Sequence, residues 1–381
     1  MEKYFYRDKK VGIVGGGQLG KMLIQSALDY NVSIHALDPD PSAPCKEVAH
    51  QFTVGSLKDY DMLYAFGQDC DVLTIEIEHV NTDALEALEK EGKEVYPSPA
   101  IIRMIQDKRV QKQFFTDHQL PTSPFFLVEN KEEVVEKVKE YPVVYKTGRG
   151  GYDGKGVSVL KSAEDAEKVP EVPGLIETFV PFEKELAVIV GRNVSGQIRV
   201  YPVVEMVFHP EYNLVEYLFS PAEISEAVNQ QIEELGKKVV STLNYVGVLA
   251  IELFLTKEGE VLINEMAPRP HNSGHHTIRS CPTSQFEQHM RAILDLPLGD
   301  PRLTSPAAMV NLLGADGFTG PALYEGIDKL LAMDGVYPFI YGKTQTRPFR
   351  KMGHITILAE DKKQLVHKIE EVKGAVTVKA S

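Results

Sequence analysis

Asn264-Glu265-Met266-Ala267-Pro268-Arg269-Pro270-His271-Asn272-Ser273-Gly274-His275 is the stretch around which the rest of the chain can be interpreted. It follows the apolar run Val261-Leu262-Ile263, which predicts a short buried strand whose end exposes the acidic and amide groups. Glu252 stands alone in an upstream apolar run, and Glu258-Gly259 between the two runs predicts a hairpin turn. We therefore expect Glu252 and Glu265 to face each other across a β-hairpin.

Two facing glutamates suggest a site for a divalent metal ion. A buried carboxylate without a partner carries a large desolvation penalty, which a shared hard cation removes. We predict Glu252, Glu265 and Asn264 as ligands of Mg²⁺. For the two glutamates alone a salt-bridged hairpin is the better explanation, but the polar, proline-containing run after Glu265 favours the metal site.

The composition is that of a globular protein with more than one domain. A chain of 381 residues, 43% of them apolar and 25% charged, is too long for one ordinary core. It contains no long uncharged apolar segment that would predict a membrane span, and its N-terminus lacks the apolar core of a signal peptide. We therefore expect a cytoplasmic protein that does not contact a membrane.

Charge and cysteine content narrow the class of function. The formal net charge of −13 argues against a nucleic-acid partner, although a local basic pocket for a phosphate is compatible with it. The scattered Cys45, Cys70 and Cys281 predict neither a disulfide framework nor a zinc cluster. They are expected to be buried fillers.

The N-terminal part begins with a glycine-rich turn. Lys10 to Val14 predicts a strand that runs into Gly15-Gly16-Gly17-Gln18-Leu19-Gly20, with a helix to about Tyr30. These glycines fit the dinucleotide-binding fingerprint, and Asp38 stands where a ribose-binding acid would be expected. Alternatively, the glycines allow close packing of helix and strand, or bind another phosphate at the helix N-terminus.

A small doubly wound unit is completed by the next elements. Asp71 to Ile77 predicts a further strand, followed by a helix from Thr82 to Lys90 and a strand from Glu94 to Tyr96. Ligands of such sheets collect at the carboxyl ends of the strands, which places Glu76 and His79 near a site. A helix-capping carboxylate is the simpler alternative.

A second α+β unit follows an amphipathic stretch, Ile101 to His118, that contains Lys108. Lys146 ends one of its strands, and the next residues, 147–156, contain five glycines after Thr147 together with basic side chains. Glycines and cations between two strands are typical of a flap that closes over polyphosphate, whereas a plain hairpin requires neither.

Two further segments are candidate binding elements. Glu177 and Glu185 bound a short apolar linker that suits a purine ring and its ribose, or forms a domain hinge. Near the C-terminus, Lys343, Arg347, Arg350 and Lys351 predict an anion pocket, with a solvated basic loop as the alternative.

The order of these parts resembles the ATP-grasp superfamily, in which two α+β subdomains hold ATP between them. Within it, the chain resembles the N5-carboxyaminoimidazole ribonucleotide synthetase family. The matching motifs are Gly15-Gly16-Gly17-Gln18-Leu19-Gly20, Gly150-Gly151-Tyr152-Asp153-Gly154-Lys155-Gly156, the stretch Asn264 to His275, and Arg350-Lys351-Met352-Gly353-His354. The resemblance extends over nearly the whole chain.

The resemblance implies an α/β and α+β fold with three parts. These are an N-terminal doubly wound, Rossmann-like pre-ATP-grasp domain at 1–104, an ATP-grasp domain at 105–302 with a flap subdomain at about 120–182, and a small C-terminal domain at 303–381. It also implies ATP- and bicarbonate-dependent carboxylation of 5-aminoimidazole ribonucleotide through carboxyphosphate, in de novo purine synthesis. Two Mg²⁺ ions, for which Mn²⁺ would substitute, and a homodimer are expected.

The resemblance also assigns residues. The nucleotide would contact Lys108, Lys146, Gly151, Tyr152, Asp153, Gly154, Lys155, Gly156, Glu177, Val180, Glu185, His209, Asn264 and Glu265. The catalytic side chains around bicarbonate and the amine would be Tyr152, Asp153, Lys155, Glu76, Arg269, His271 and Asn272. The aminoimidazole ribonucleotide would contact Gly17, Gln18, Leu19, Glu76, His79, Lys343, Arg350 and Lys351. The metal ligands would be Glu252 and Glu265.

Some positions depart from the family pattern. His209 is displaced by one position from the usual histidine, and Val157 replaces the usual glutamine after the flap. Neither change touches the expected metal pair.

Another ATP-grasp ligase, such as formate-dependent glycinamide ribonucleotide transformylase, shares the ATP-binding parts and is the alternative function.

Overall fold

A computed structural model of the chain describes residues 9–151, 156–209 and 214–381. The expected residues Tyr152, Asp153, Gly154 and Lys155 of the glycine-rich segment lie outside the described residues. No helix in the described ranges is long and apolar enough to cross a membrane.

The N-terminal part is a parallel sheet with helices on its faces. In the described residues its strand order is β3-β2-β1-β4-β5, all parallel. Its elements are β1 Lys10–Val14, α1 Gln18–Leu28, β2 Ser33–Asp38, β3 Gln51–Val54, α2 Tyr60–Gln68, β4 Val72–Ile75, α3 Thr82–Lys90 and β5 Glu94–Val95. The predicted doubly wound unit is confirmed, but β3 and α2 were missed by the sequence interpretation.

A helical connection leads to a four-stranded antiparallel sheet, as far as the chain is described, with the order β6-β9-β7-β8. The elements are α4 Pro99–Ile105, α5 Lys108–Asp117, β6 Phe125–Val128, α6 Lys131–Lys137, β7 Val143–Thr147, β8 Val157–Leu160, α7 Ala163–Ala166 and β9 Gly174–Thr178. The 147–156 segment, which contains the glycines, connects β7 to β8.

The next sheet extends across the rest of the molecule. Its described strands follow the order β15-β14-β10-β12-β13-β16-β20-β18, with β11 paired to β10. These strands are β10 Phe182–Arg192, β11 Ile198–Val200, β12 Val204–Phe208, β13 Val215–Ser220, β14 Gly247–Thr256, β15 Val261–Ala267, β16 Ala307–Leu313, β18 Val336–Ile340 and β20 Lys351–Leu358. Its helices are α8 Glu226–Thr242, α9 Thr277–Ser280 and α10 Gln285–Ile293, with a 3₁₀ turn at Asn272–Gly274.

A smaller sheet completes the C-terminal part, with the order β19-β17-β21 in the described chain. Its elements, with the neighbouring helices, are β17 Gly320–Glu325, α11 Ile327–Leu331, β19 Gln345–Thr346, α12 Lys362–Ala375 and β21 Thr377–Ala380.

Three sequence predictions about elements are wrong. The stretch from Ile101 to His118 is two helices, because the Asp107 side chain accepts from the Arg109 N–H and caps a new helix there. The sequence from Ile198 to Val207 predicts one strand, but it is divided into β11 and β12. The strand that was expected to stop at Ile263 continues to Ala267, so Glu265 lies within β15.

The hydrophobic core positions the two halves of the site against each other. Leu249, Ile251 and Ile263 of the β14–β15 hairpin pack under α8 and against α4 and α5. Phe286 and Met290 of α10 are fully buried in a second cluster with the apolar face of α1. The hairpin and the glycine-rich turn before α1 are therefore held in one rigid frame.

Candidate active site

The centre of the site is a bulged hairpin. Glu252 on β14 is the Cα partner of Glu265 on β15, but the next pair is Leu253 with Ile263, so Asn264 is one extra residue. Such a bulge changes the direction of neighbouring side chains on the bulged strand. The sequence prediction that the two glutamates face each other is confirmed.

Two lysines from different elements reach this hairpin. Lys108, at the first position of α5, pairs with Glu265 Oε2, and Lys146 Nζ on β7 donates to Asn264 Oδ1 at 2.7 Å. Burial acts to raise the pKa of Glu265, but the charges of Lys108 and Lys146 lower it. Two cations from different elements thus converge on adjacent oxygen donors of the hairpin.

Lys146 also contacts the carboxylate at the end of β9. Its Nζ lies 3.1 Å from Glu177 Oε2, and Lys112 Nζ lies 3.2 Å from Glu177 Oε1. All three side chains are buried. Burial acts to raise the pKa of Glu177, but Lys146 and Lys112 hold it below its usual value.

Lys112 was missed by the sequence analysis. It lies one helical turn after Lys108 on α5, so both lysines face the same side, and this spacing was the available signal. Burial lowers the pKa of Lys112 to about 8, and its Nζ also donates to Thr122 Oγ1 at 2.5 Å and to Ser123 Oγ at 3.0 Å. The helix therefore contributes two cations to the cluster.

The linker after β9 is placed beside this cluster. Val180 is half-buried, and its carbonyl accepts from the Phe182 N–H at 2.9 Å. Glu185 lies within β10, where burial raises its pKa to about 7 against the opposing effect of Lys146. The structure thus brings Glu177, Val180 and Glu185 to one side of the lysines.

The base of the glycine-rich segment is tied to α5. Lys108 N–H donates to Gly148 O at 2.8 Å, and Thr147 N–H donates to Gly156 O at 2.8 Å. The buried Asp107 accepts from Arg149 Nε at 3.1 Å. The ends of the segment, Gly151 included, are therefore held next to Lys108.

Glu76 occupies the N-terminus of α1. Its Oε1 accepts from Gly17 N–H at 2.6 Å and its Oε2 from Gly20 N–H at 2.7 Å, while Asp38 Oδ2 accepts from Gly16 N–H at 2.7 Å. A Cβ on Gly17 would lie 2.6 Å from Glu76 Oε1, so only glycine permits this approach. The backbone groups that would bind a dinucleotide pyrophosphate are already bonded to the chain's own carboxylates, which argues against the dinucleotide interpretation of this turn.

Other expected residues surround Glu76. Gln18 and Leu19 begin α1, and His79 lies on the loop after β4. On the same loop Glu78 Oε1 lies 2.7 Å from Arg269 Nη2. Arg269 follows β15 with only Pro268 between them, so the loop after β4 meets the stretch after β15.

His271 and Asn272 continue from Arg269. His271 Nε2 lies 3.5 Å from Glu252 Oε1. Burial, followed by the charges of Glu265 and Glu185, raises the pKa of Glu252. The 271–272 corner therefore lies directly beside the carboxylate pair.

The cations near the C-terminus lie opposite the start of α1. Lys343 Nζ donates to Lys351 O at 2.8 Å, and Arg350 Nη1 donates to Gln345 O at 2.6 Å. Lys21 Nζ on α1 donates to Tyr341 O at 3.3 Å. Lys21 of α1 thus contacts the chain just before Lys343, which places α1 near these cations.

His209 contacts residues outside the lysine cluster. It follows β12, its N–H donates to Leu214 O at 2.8 Å, and it lines a cavity of about 290 Å³ with Glu216, Asn311 and Lys373. Its contact with the nucleotide stays a prediction.

The donors present fit magnesium. Glu252, Glu265 and Asn264 offer the hard oxygen atoms that Mg²⁺ prefers, and two adjacent half-buried carboxylates favour a cation between them. Within the described ranges, no group of three or more His, Cys, Asp or Glu side chains could hold a metal ion. The remaining ligands would be phosphate oxygens and water, as is usual for Mg²⁺ at nucleotide sites.

The three cysteines behave as expected from the sequence. Cys45 and Cys70 are buried, Cys281 is half-buried, and none is in a disulfide. Burial raises the pKa of the Cys70 thiol to about 12 and that of Cys281 to about 11. These thiols are not nucleophiles at neutral pH.

Family models match three consecutive parts of the chain. They are a ribonucleotide synthetase preATP-grasp domain at residues 8–106, an ATP-grasp domain at 113–286 and a phosphoribosylaminoimidazole carboxylase C-terminal domain at 307–368. Together with the bulged hairpin and its two lysines, these matches define an ATP-grasp enzyme.

Similar proteins narrow the family further. The chain is 37% identical over 374 residues to the N5-carboxyaminoimidazole ribonucleotide synthase of Bacillus subtilis, covering 97% of this chain and 96% of that one. It belongs to the N5-carboxyaminoimidazole ribonucleotide synthase family. It is also 40% identical over 357 residues to the chloroplastic phosphoribosylaminoimidazole carboxylase of Vigna aconitifolia, covering 91% of this chain but 64% of that protein's length.

Solved structures agree with this assignment. The synthetase from Thermotoga maritima superposes with a TM-score of 0.90 at 42% identity, covering 98% of this chain and 100% of that one. The synthase from Aspergillus clavatus, in complex with ADP and 5-aminoimidazole ribonucleotide, has a TM-score of 0.88 at 32% identity, covering 97% and 99%. The predicted family and fold class are confirmed.

Proposed function

We propose that this protein carboxylates the exocyclic amine of 5-aminoimidazole ribonucleotide, using ATP and bicarbonate and releasing ADP and phosphate. The observation that carries the proposal is the convergence of Lys108 and Lys146 on Glu265 and Asn264 of the bulged hairpin. ATP phosphates would replace the carboxylate and the amide as partners of the two lysines.

In the first step, an oxygen of bicarbonate attacks the γ-phosphorus of ATP. A new P–O bond forms, the bond to the β-phosphate oxygen breaks, and ADP leaves with that electron pair, giving carboxyphosphate. Lys108 and Lys146 orient the phosphates and offset the charge that develops on their oxygens. Mg²⁺ held by Glu252 and Glu265 would supply further stabilisation of that charge.

In the second step, the amine nitrogen bonds to the carboxyl carbon and phosphate leaves. The nitrogen loses one proton, so the product carries a carbamate. Carboxyphosphate is short-lived in water, so solvent must be excluded while the amine attacks. The glycine-rich segment 147–156, in which Gly148 and Arg149 bond to the start of α5, keeps the flap role that the resemblance implies.

The residue roles expected from the resemblance are retained as part of the proposal. Glu177, Val180 and Glu185 would contact adenine and ribose, Arg269, His271 and Asn272 would face bicarbonate, and Lys343, Arg350 and Lys351 would bind the ribonucleotide phosphate. The close approach of α1 to Tyr341 supports a shared ribonucleotide cleft.

The finer organisation is also proposed on the resemblance. We place domain boundaries at 1–104, 105–302 and 303–381, with the flap subdomain at about 120–182. A homodimer and a cytoplasmic location are part of the same proposal, and sedimentation of the purified protein tests the first of these.

Phosphate release from ATP tests the activity. We expect release that requires both bicarbonate and 5-aminoimidazole ribonucleotide, with formation of the carbamate product. Release that depends on formate and glycinamide ribonucleotide, and ignores bicarbonate, would instead support the transformylase alternative.

A further inference from the structure

Gln285, the first residue of α10, makes an unusual set of contacts with the 271–272 corner. Its Oε1 accepts from His271 N–H at 2.9 Å, and its Nε2 donates to His271 O at 2.7 Å. The side chain is fully buried. One amide group therefore satisfies both backbone groups of His271, much as a neighbouring strand would.

Gln285 is itself held rigidly. Its backbone N–H donates to Thr277 Oγ1 at 2.9 Å, and the next residue, Phe286, is fully buried against the core of α1. A Cβ on Gly274 would overlap the Gln285 amide, so the loop fits closely around it. The position of His271 is therefore fixed by the core between two domains rather than by its own loop.

Asn311 on β16 fixes the following residue from the other side. Asn272 Nδ2 donates to Asn311 Oδ1 at 2.9 Å, and Asn311 Nδ2 donates back to Asn272 Oδ1 at 3.1 Å. Asn311 Nδ2 also donates to Val215 O at 2.8 Å, which anchors it to β13. Two buried amides on separate elements therefore clamp two consecutive residues.

The bonds made by Gln285 and Asn311 determine the direction of the His271 ring. The ring Nδ1 lies 3.0 Å from Ser273 Oγ, which leaves Nε2 directed at Glu252 Oε1 at 3.5 Å. A shift of about 1 Å in such a group costs on the order of a hundredfold in rate. Orientation of this corner is therefore of direct consequence for catalysis.

We propose that Gln285, with Asn311 as its counterpart, is a positioning residue that holds His271 and Asn272 toward the bicarbonate and amine side of the site. The inference rests on the proposed function, because that function gives the 271–272 corner its role. Neither Gln285 nor Asn311 touches the reacting atoms. Each acts by fixing a residue that does.

The alternative is that Gln285 only satisfies a buried loop and contributes to stability. The same helix offers a matched control for this alternative. Gln288 is also fully buried, its Oε1 accepts from Gly299 N–H at 2.8 Å, and its Nε2 donates to Gly299 O at 3.2 Å. Gln288 makes the same pair of bonds to backbone, but to a segment away from the carboxylate pair.

The experiment compares Gln285→Met with Gln288→Met in the full-length protein. We expect both variants to lose thermal stability, since each leaves one N–H and one C=O without a partner, and Gln285→Met also removes the contact with His275 Nδ1 at 3.1 Å. For Gln285→Met alone, we expect kcat to fall by about tenfold to a hundredfold with little change in the KM for ATP. We also expect more phosphate released per molecule of carbamate formed, because misplaced groups let carboxyphosphate react with water.

A second variant keeps the test independent of folding at α10. Asn311→Leu, on β16, is expected to reproduce the fall in kcat and the loss of coupling between phosphate release and carbamate formation. Equal kinetics for Gln285→Met and Gln288→Met, or unchanged coupling in both Gln285→Met and Asn311→Leu, would overturn the inference. Failure of the wild-type protein to carboxylate the ribonucleotide would instead overturn the proposed function.

Discussion

At the scale of single residues, Glu265 is the side chain on which most of the site converges. It faces Glu252 across the hairpin and pairs with Lys108, and its neighbour Asn264 accepts from Lys146. A neutral side chain there would lose the ion pair and one charged metal ligand together. We therefore expect the carboxylate to be required for the proposed chemistry rather than for the fold.

Glu265→Gln is expected to lower kcat by about a hundredfold or more, because an amide is a poor substitute for a metal-binding carboxylate. The melting temperature should change little. Glu258→Gln, in the exposed turn of the same hairpin, is the control and should retain full activity. Turnover of Glu265→Gln close to the wild-type rate would remove the metal assignment.

Lys351→Ala is expected to raise the KM for the ribonucleotide by about tenfold, since a charge-assisted bond to phosphate contributes roughly 1.5–3 kcal/mol. The KM for ATP should stay within about twofold of the wild-type value. Lys329→Ala, an exposed substitution on α11, provides the control in the same initial-rate assay. A change confined to ATP would move Lys351 to the nucleotide site.

Only part of the candidate site was predictable at this scale. Glu252, Glu265 and Asn264 stand out because polar groups interrupt apolar runs, and Lys146 because glycines follow it. Gln285 gives no such signal, since a single amide in an amphipathic helix resembles any surface residue. Asn311 does interrupt the apolar run Ala307–Leu313, but the run does not show which residue the amide bonds. Their partners come from other elements, and that proximity is created only by the tertiary fold.

At the scale of elements, sequence patterns predicted hairpins and helices better than their ends. The Glu258-Gly259 turn and α3 were located correctly. The length of β15 was not, because the bulge at Asn264 lets the strand continue past the polar residues. The break between α4 and α5 was missed because the amphipathic pattern continues through the Asp107 cap.

A buried histidine joins α10 to two sheets. His289 Nδ1 accepts from Val248 N–H at 3.1 Å, so its Nε2 carries the proton and lies 2.8 Å from Thr74 Oγ1. Val248 belongs to β14 and Thr74 to β4, so the ring connects the ATP-grasp sheet with the N-terminal one. Burial lowers the pKa of His289 to about 3.

This histidine makes stability depend on pH. Its pKa is lower in the folded state than the unfolded value of about 6.5, so the unfolded chain binds more protons between these values. The free energy of unfolding should therefore fall as the pH drops below about 6.5, by up to about 1.4 kcal/mol per unit from this residue.

The comparison with His289→Leu isolates that contribution. Urea unfolding between pH 4 and pH 7 should show a shallower loss of stability for His289→Leu than for the wild-type protein. The exposed His367 on α12 supplies the control, since His367→Leu should keep the wild-type slope. Identical slopes for all three proteins would show that His289 is not held neutral.

At the scale of the whole molecule, one sheet connects the nucleotide side with the C-terminal part. β13 pairs with β16, so the strands that carry Glu252 and Glu265 share a sheet with those that carry Asn311 and Lys351. The sequence indicated three consecutive parts but not this continuity, because pairing between distant strands leaves no local pattern. The arrangement explains how residues from all three parts reach one cleft.

The central claim is that bicarbonate accepts the γ-phosphoryl group before the amine is carboxylated. Carboxylation with ¹⁸O-labelled bicarbonate tests it most directly, because the oxygen that attacks phosphorus stays with phosphate when the C–O bond breaks. We expect the phosphate released during turnover to carry one labelled oxygen, only when ribonucleotide, ATP and bicarbonate are all present. Carbamate formed with unlabelled phosphate would contradict it.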